Sequence, residues 1–72
     1  MTTDQLANEL RKACERAPKG DKAVTVHLFG IRNADRLTGH NLQELGERAG
    51  IGKAWGTEIR KGMRLAEHVS LK

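Results

Sequence analysis

Apolar residues return at helical intervals through most of the chain, and capping residues mark where the runs begin. Leu6, Leu10, Ala13 and Ala17 recur three or four positions apart, with Thr2 and Gln5 at capping-box spacing ahead of them. Glu9, Arg11, Lys12, Glu15 and Arg16 cover the other faces with mixed sign, the pattern of a solvated helix surface. Pro18-Lys19-Gly20 ends this first helix, and Asp21 stands where it can cap the next element.

Residues 22–37, KAVTVHLFGIRNADRL, fit two periods. Val24, Val26 and Leu28 alternate with Thr25 and His27 as in a short strand, while Val24, Leu28, Ile31 and Ala34 also form one helical stripe with Phe29 beside it. A lone strand needs a pairing partner and the chain has no second β-rich run, so a helix is expected here. Gly30 inside it costs about 1 kcal/mol relative to Ala, which points to the close approach of another helix or to a local bend.

After the loop Thr38-Gly39-His40, Asn41 and Glu44 open a short third helix with Leu42, Leu45 and Ala49 on its apolar side. Gly50 stops it, Ile51 follows as an apolar anchor, and Gly52 can start a fourth helix. Placed at 100° intervals, Trp55, Ile59, Met63 and Ala66 form one stripe of that helix, with Gly62 and Val69 at its edge. Thr57, Lys61, Arg64 and His68, flanked by Lys53 and Arg60, occupy the other side, and Glu58 and Glu67 lie on the borders of this arc. The expectation is a single all-α domain spanning residues 1–72, a compact arrangement of four helices.

Composition narrows the function. The 72 residues carry a net charge of +4. Residues 53–72 alone, with Lys53, Arg60, Lys61, Arg64 and Lys72 against Glu58 and Glu67, hold +3 of it. Phe29 and Trp55 are the only aromatics, too few for the stacking platforms of single-strand and RNA modules. One cysteine excludes a disulfide framework and a four-Cys zinc module. No stretch approaches the ~18 apolar residues of a membrane span. MTTDQLANELRK shows no basic segment followed by an apolar one, so neither membrane nor secretory signal is expected and the cytoplasm is the expected compartment.

The stretch 42–59, LQELGERAGIGKAWGTEI, resembles the helix-turn-helix DNA-binding motif in its register. Gly46 takes the small-residue position in the first helix. Gly50, four residues later, takes the turn position that demands left-handed geometry, Ile51 the apolar residue after it, and Ile59 the anchor eight positions on. The motif's aliphatic position three residues before that anchor is Gly56 here, and Trp55 is expected to take over the packing with the helix slightly rotated. The wider chain, HLFGI followed by TEIRKGMRLAEHV, looks like small bacterial helix-turn-helix-like domains.

The resemblance implies that helices three and four form a helix-turn-helix and that the partner is duplex DNA, with transcription regulation as the simplest role. The fourth helix would enter the major groove, so Lys53, Thr57, Arg60, Lys61 and Arg64 would face the duplex. Arg60 or Arg64 could read guanine edges while Lys53 and Lys61 neutralise phosphates. The peptide N–H groups of Gly39 to Leu42 could hold a phosphate oxygen. A monomer of this charge would bind weakly to moderately, so a homodimer is the form expected for operator-like affinity.

Catalysis and cofactors find little support. Cys14 lies on the first helix with no nearby histidine and reads as a buried, inert thiol. His27, His40 and His68 lack ligand spacing with one another or with Cys14, so no metal is expected. GERAGIGKA (46–54) fails as a phosphate-binding loop: five residues separate Gly46 from Gly52, Ala54 replaces the metal-binding hydroxyl, and no strand precedes it. No small-molecule substrate is evident, and an enzyme is not expected. The rival reading is a helical adaptor for a partner protein, for which exposed Leu65 and Leu71 would supply an apolar patch.

Overall fold

A computed structural model describes residues 2–69, all of them helix, turn or loop. Five α-helices follow one another: α1 (Thr3–Arg16), α2 (Lys22–Arg32), α3 (Ala34–Leu37), α4 (Leu42–Arg48) and α5 (Gly56–Leu65), with a 3-10 turn (Lys53–Trp55) ahead of α5. The all-helical expectation holds, and the strand alternative for residues 22–37 falls away. The expected four helices become five because the second run breaks at Asn33. There the backbone leaves helical geometry, with φ −115° and ψ 18°, while the side-chain amide donates to Phe29 O at 3.1 Å beside the last regular helical bond, from the Asn33 N–H at 3.0 Å.

Of three capping signals one forms in full, one in half and one not at all. Thr2 Oγ1 accepts from the Gln5 peptide N–H at 3.1 Å and Gln5 Oε1 accepts from the Thr2 N–H at 2.9 Å, a complete capping box. Asn41 Oδ1 accepts from the Glu44 N–H at 3.0 Å. Asp21 holds the N-cap position of α2 without a side-chain bond; its carbonyl instead accepts from the Thr25 N–H and hydroxyl.

The core draws Leu6, Ala7 and Leu10 from α1, Val26 and Phe29 from α2, Leu37 from α3, Leu42 and Leu45 from α4 with Ala49 just beyond it, and Ile59 from α5. Burying each large member is worth about 1.5–3 kcal/mol. The apolar face of α2 differs from the expected stripe. Val26, Phe29 and Gly30 turn inward, Leu28, Ile31 and Ala34 are half-buried, and Val24 is 55% exposed. Both faces of α2 carry apolar residues, so the longest periodic run was not the buried one.

Helices α2 and α5 meet through glycine. A Cβ built on Gly30 would stand 2.6 Å from Ile59 O and 2.9 Å from Gly62 Cα, and one on Gly62 would strike His27 O and sit 3.0 Å from Gly30 Cα. Gly30 therefore marks a close helix approach, as its cost in the sequence suggests. Helix α1 is tied to α4 by Arg48, which donates to Asp4 Oδ1 at 2.8 Å and also binds Glu44. These bonds, that to Asp4 foremost, push the Arg48 guanidinium pKa up.

Candidate functional site

The segment from α4 to α5 is shaped by its glycines. Gly50 and Gly52 have φ of +80° and +106°, backbone that side-chain-bearing residues rarely adopt, and they reverse the chain between the helices. The peptide N–H groups of Ile51 and Gly52 both donate to Gly46 O, at 3.1 and 3.0 Å. A Cβ on Gly46 would collide with Gly52 O, so the small residue accommodates the turn rather than the second helix, whose close approach to α4 falls at Gly56. Ile51 packs half-buried against the core, and Ile59 is fully buried.

The unusual glycine of the motif has a physical role. A Cβ on Gly56 would lie 3.0 Å from the Gln43 backbone N and 3.1 Å from the Leu42 carbonyl carbon, so the start of α5 rests directly on the first turn of α4. Trp55 does not replace it as a helical anchor. It closes the 3-10 turn, half-buried against the core, with Lys22 Nζ 4.9 Å from its ring centre. Because α5 begins only at Gly56, Lys53 sits on the turn rather than on the helix. Because α5 ends at Leu65, His68 and Val69 lie beyond it, both exposed, and Val69 is no edge of the core stripe. Leu65 is 42% exposed; Leu71 lies outside the described residues.

Lys53, Thr57, Arg60, Lys61 and Arg64 are all exposed. Thr57 and Arg60 share a crevice of about 490 Å³ with His40, Asn41 and Gln43 from the start of α4. Arg60 and Arg64 line a second crevice that also holds Asp35 and Glu67, so acidic groups border the arc from α3 and from beyond α5. Lys61 and Arg64 flank Leu65 beside His27 and His68. Lys53 joins none of these crevices. Of the peptide N–H groups expected to hold a phosphate, that of His40 is already committed to Leu37 O at 3.0 Å.

Two polar contacts at this site have no local sequence signal. His27 Nε2 donates to Glu58 Oε2 at 2.6 Å across the α2–α5 crossing, and Lys61 Nζ approaches Glu58 Oε1 at 3.3 Å. The hydrogen bond from His27 is the main cause that holds the Glu58 carboxyl below its ordinary range; desolvation opposes it and Lys61 adds to it. Lys61 thus shares its charge with Glu58, whereas Arg60 and Arg64 have no ion pair among the described residues. The second contact links Thr3 Oγ1 and His40 Nδ1 at 2.8 Å, holding the α3–α4 loop to the start of α1. Partners so distant in sequence are joined only by the fold.

Cys14 is half-buried, and burial pushes its thiol pKa up, with Lys22 pulling weakly the other way. That favours the protonated, unreactive form. Among the described residues no three His, Cys, Asp or Glu gather as a metal site, and no helix is long and apolar enough to cross a membrane.

The chain belongs to the HTH-like domain family, whose model matches residues 2–72. No curated protein and no solved structure matches it.

Proposed function

We propose, from membership of the HTH-like domain family, that the chain binds duplex DNA with α4 and α5 as the helix-turn-helix pair and acts as a small transcriptional regulator. The observation that carries the reading is the pairing of that family match with an exposed arc of Lys53, Thr57, Arg60, Lys61 and Arg64. Helix α5, about 15 Å long, is of a size to lie in a major groove. Arg60 and Arg64 are its guanidinium groups, without an ion pair among the described residues, and serve as the guanine readers. Lys53 and Lys61 serve phosphates, and Thr57 reaches the edge shared with α4.

Arg60→Ala/Arg64→Ala tests this reading. Both residues are exposed and outside the core, so the double variant should melt with the wild type and bind labelled duplex at least about tenfold more weakly. Equal affinity would refute the docking face. A second reading, a protein-binding adaptor, is favoured by the apolar patch around exposed Leu65, where Lys61, Arg64 and His68 would suit an acidic partner. It predicts no response to duplex at any salt concentration.

A further inference from the structure

The crevice where the α3–α4 loop and α4 meet α5 carries one kind of chemistry. His40, Asn41, Gln43, Thr57 and Arg60 line it, every one of them able to donate a hydrogen bond. Among the described residues no carboxylate lines it, whereas Asp35 and Glu67 line the neighbouring crevice and Glu9 lines the one between α1 and α2. Donors around a permanent positive charge, with no acid among them, are complementary to an anion. The side chains make it so, not the peptide groups. The His40 N–H is taken by Leu37 O and the Glu44 N–H by Asn41 Oδ1, each at 3.0 Å, which leaves the side-chain NH₂ of Asn41 for a ligand.

His40 is held half-buried at this crevice by its bond to Thr3 Oγ1 at 2.8 Å. Thr3 is the first residue of α1, where no helical carbonyl stands one turn back to take its hydroxyl proton, and it makes no other side-chain bond among the described residues. The hydroxyl therefore donates to Nδ1 of the neutral ring, and the ring proton rests on Nε2. When the ring takes up a second proton the bond reverses, Nδ1–H donates to the hydroxyl, and Nε2 keeps its hydrogen. Nε2 is a donor in both states, and protonation adds a charge without altering the tether.

The groups around the ring leave that charge unopposed. Asn41 and Gln43 from α4 and Thr57 from α5 are neutral, and Arg60 is the one other cationic side chain of the crevice. On the α1 side Asp4, next to Thr3, is bound by Arg48, which also binds Glu44. Asp35 of α3 lines the adjoining crevice instead. Histidine is the side chain that changes charge between about pH 5 and 8.

We propose that His40, with Gln43 and Thr57, holds one backbone phosphate of the duplex in the α4–α5 crevice, so that duplex affinity rises as His40 gains its proton. The proposal rests on the DNA reading and adds to its arc a residue that lies outside α5.

Fluorescence anisotropy of a labelled mixed-sequence duplex titrated with the full chain, from pH 8 to 5.5 at several salt concentrations, tests it. Circular dichroism checks the folding of each variant. The wild type should bind about fivefold more tightly at pH 5.5 than at pH 8. Its slope of log K against log salt should steepen by about 0.9 over the same range, one further phosphate contact. His40→Gln should remove most of both effects, and His40→Lys should bind at pH 8 as the wild type does at pH 5.5, with a flat profile. His27→Gln/His68→Gln, which replaces the other two histidines, should keep the wild-type profile. A pH profile or salt slope unchanged in His40→Gln, or lost in His27→Gln/His68→Gln, would overturn this proposal and leave the DNA reading standing. Absence of duplex binding at every pH and salt concentration would overturn both.

Discussion

Replacing Gly30 by alanine sets two physical effects against each other with opposite signs. Helix propensity alone favours the change by about 0.5–1 kcal/mol, since glycine in a helix interior loses more backbone freedom than alanine. The α2–α5 crossing opposes it. The added methyl would stand 2.6 Å from Ile59 O, 2.9 Å from Gly62 Cα and 3.1 Å from Gly62 C. All three are backbone atoms, so no side chain can swing aside. Restoring ordinary contact requires the helices to part by about 0.8 Å, which loosens the packing of fully buried Ile59 and Val26. Overpacking of this kind costs about 1–3 kcal/mol, and a rigid neighbour places the cost at the upper end. The net expectation is a loss of about 2 kcal/mol, a large share of the roughly 4–11 kcal/mol available to a chain of this length. Thermal unfolding followed by far-ultraviolet circular dichroism should show Tm lowered by about 10 °C. A Tm equal to or above that of the wild type would refute the reasoning, because it would mean that propensity governs and the helices are not in glycine contact.

Two further changes probe other supports. Asn41→Ala removes the cap bond to the Glu44 N–H and should cost about 1 kcal/mol, or about 4–8 °C in Tm; an unchanged melt would show that the cap adds nothing. Glu58→Gln tests the bond across the helix crossing. The Glu58 carboxyl is held below its ordinary value of 4.5, chiefly by His27, so its contribution is complete above that value and is lost as pH falls through the lowered one. The variant should melt below the wild type near neutral pH, and the gap should close as pH falls below 4.5 and through the lowered value. A gap that stays constant into strong acid would contradict that assignment.

The parts of this fold legible in the sequence were those set by neighbours a few residues apart. The Thr2–Gln5 capping box, the Asn41 cap and the left-handed turn at Gly50 each arise from local backbone chemistry, and each stands where it was read. The cost of Gly30 correctly signalled a close approach but could not name Gly62 as its counterpart, thirty-two residues away. The buried face of α2 was misread because apolar residues lie on both of its sides, and periodicity cannot tell which of two stripes faces the core. The break at Asn33 was missed because no glycine or proline marks it; the backbone leaves helical geometry at an asparagine, with φ −115° and ψ 18°. At the site, the exposed arc followed from helical geometry once α5 was placed. The His27–Glu58 bond, the Thr3–His40 bond and the placement of Asp35 beside Arg60 and Arg64 depend on tertiary neighbours and had no signal, whereas Glu67 stands on the border of the arc as read.

The proposed docking of duplex DNA on α4 and α5 can be tested by titrating the isotopically labelled chain with mixed-sequence duplex and following its amide resonances at low and moderate salt. Shifts should concentrate in residues 41–64 and fade as salt rises. The dependence of log K on log salt should have a slope of about −4 for four or five phosphate contacts. Resonances that do not move even at low salt, or shifts confined to α1 and α2, would contradict it.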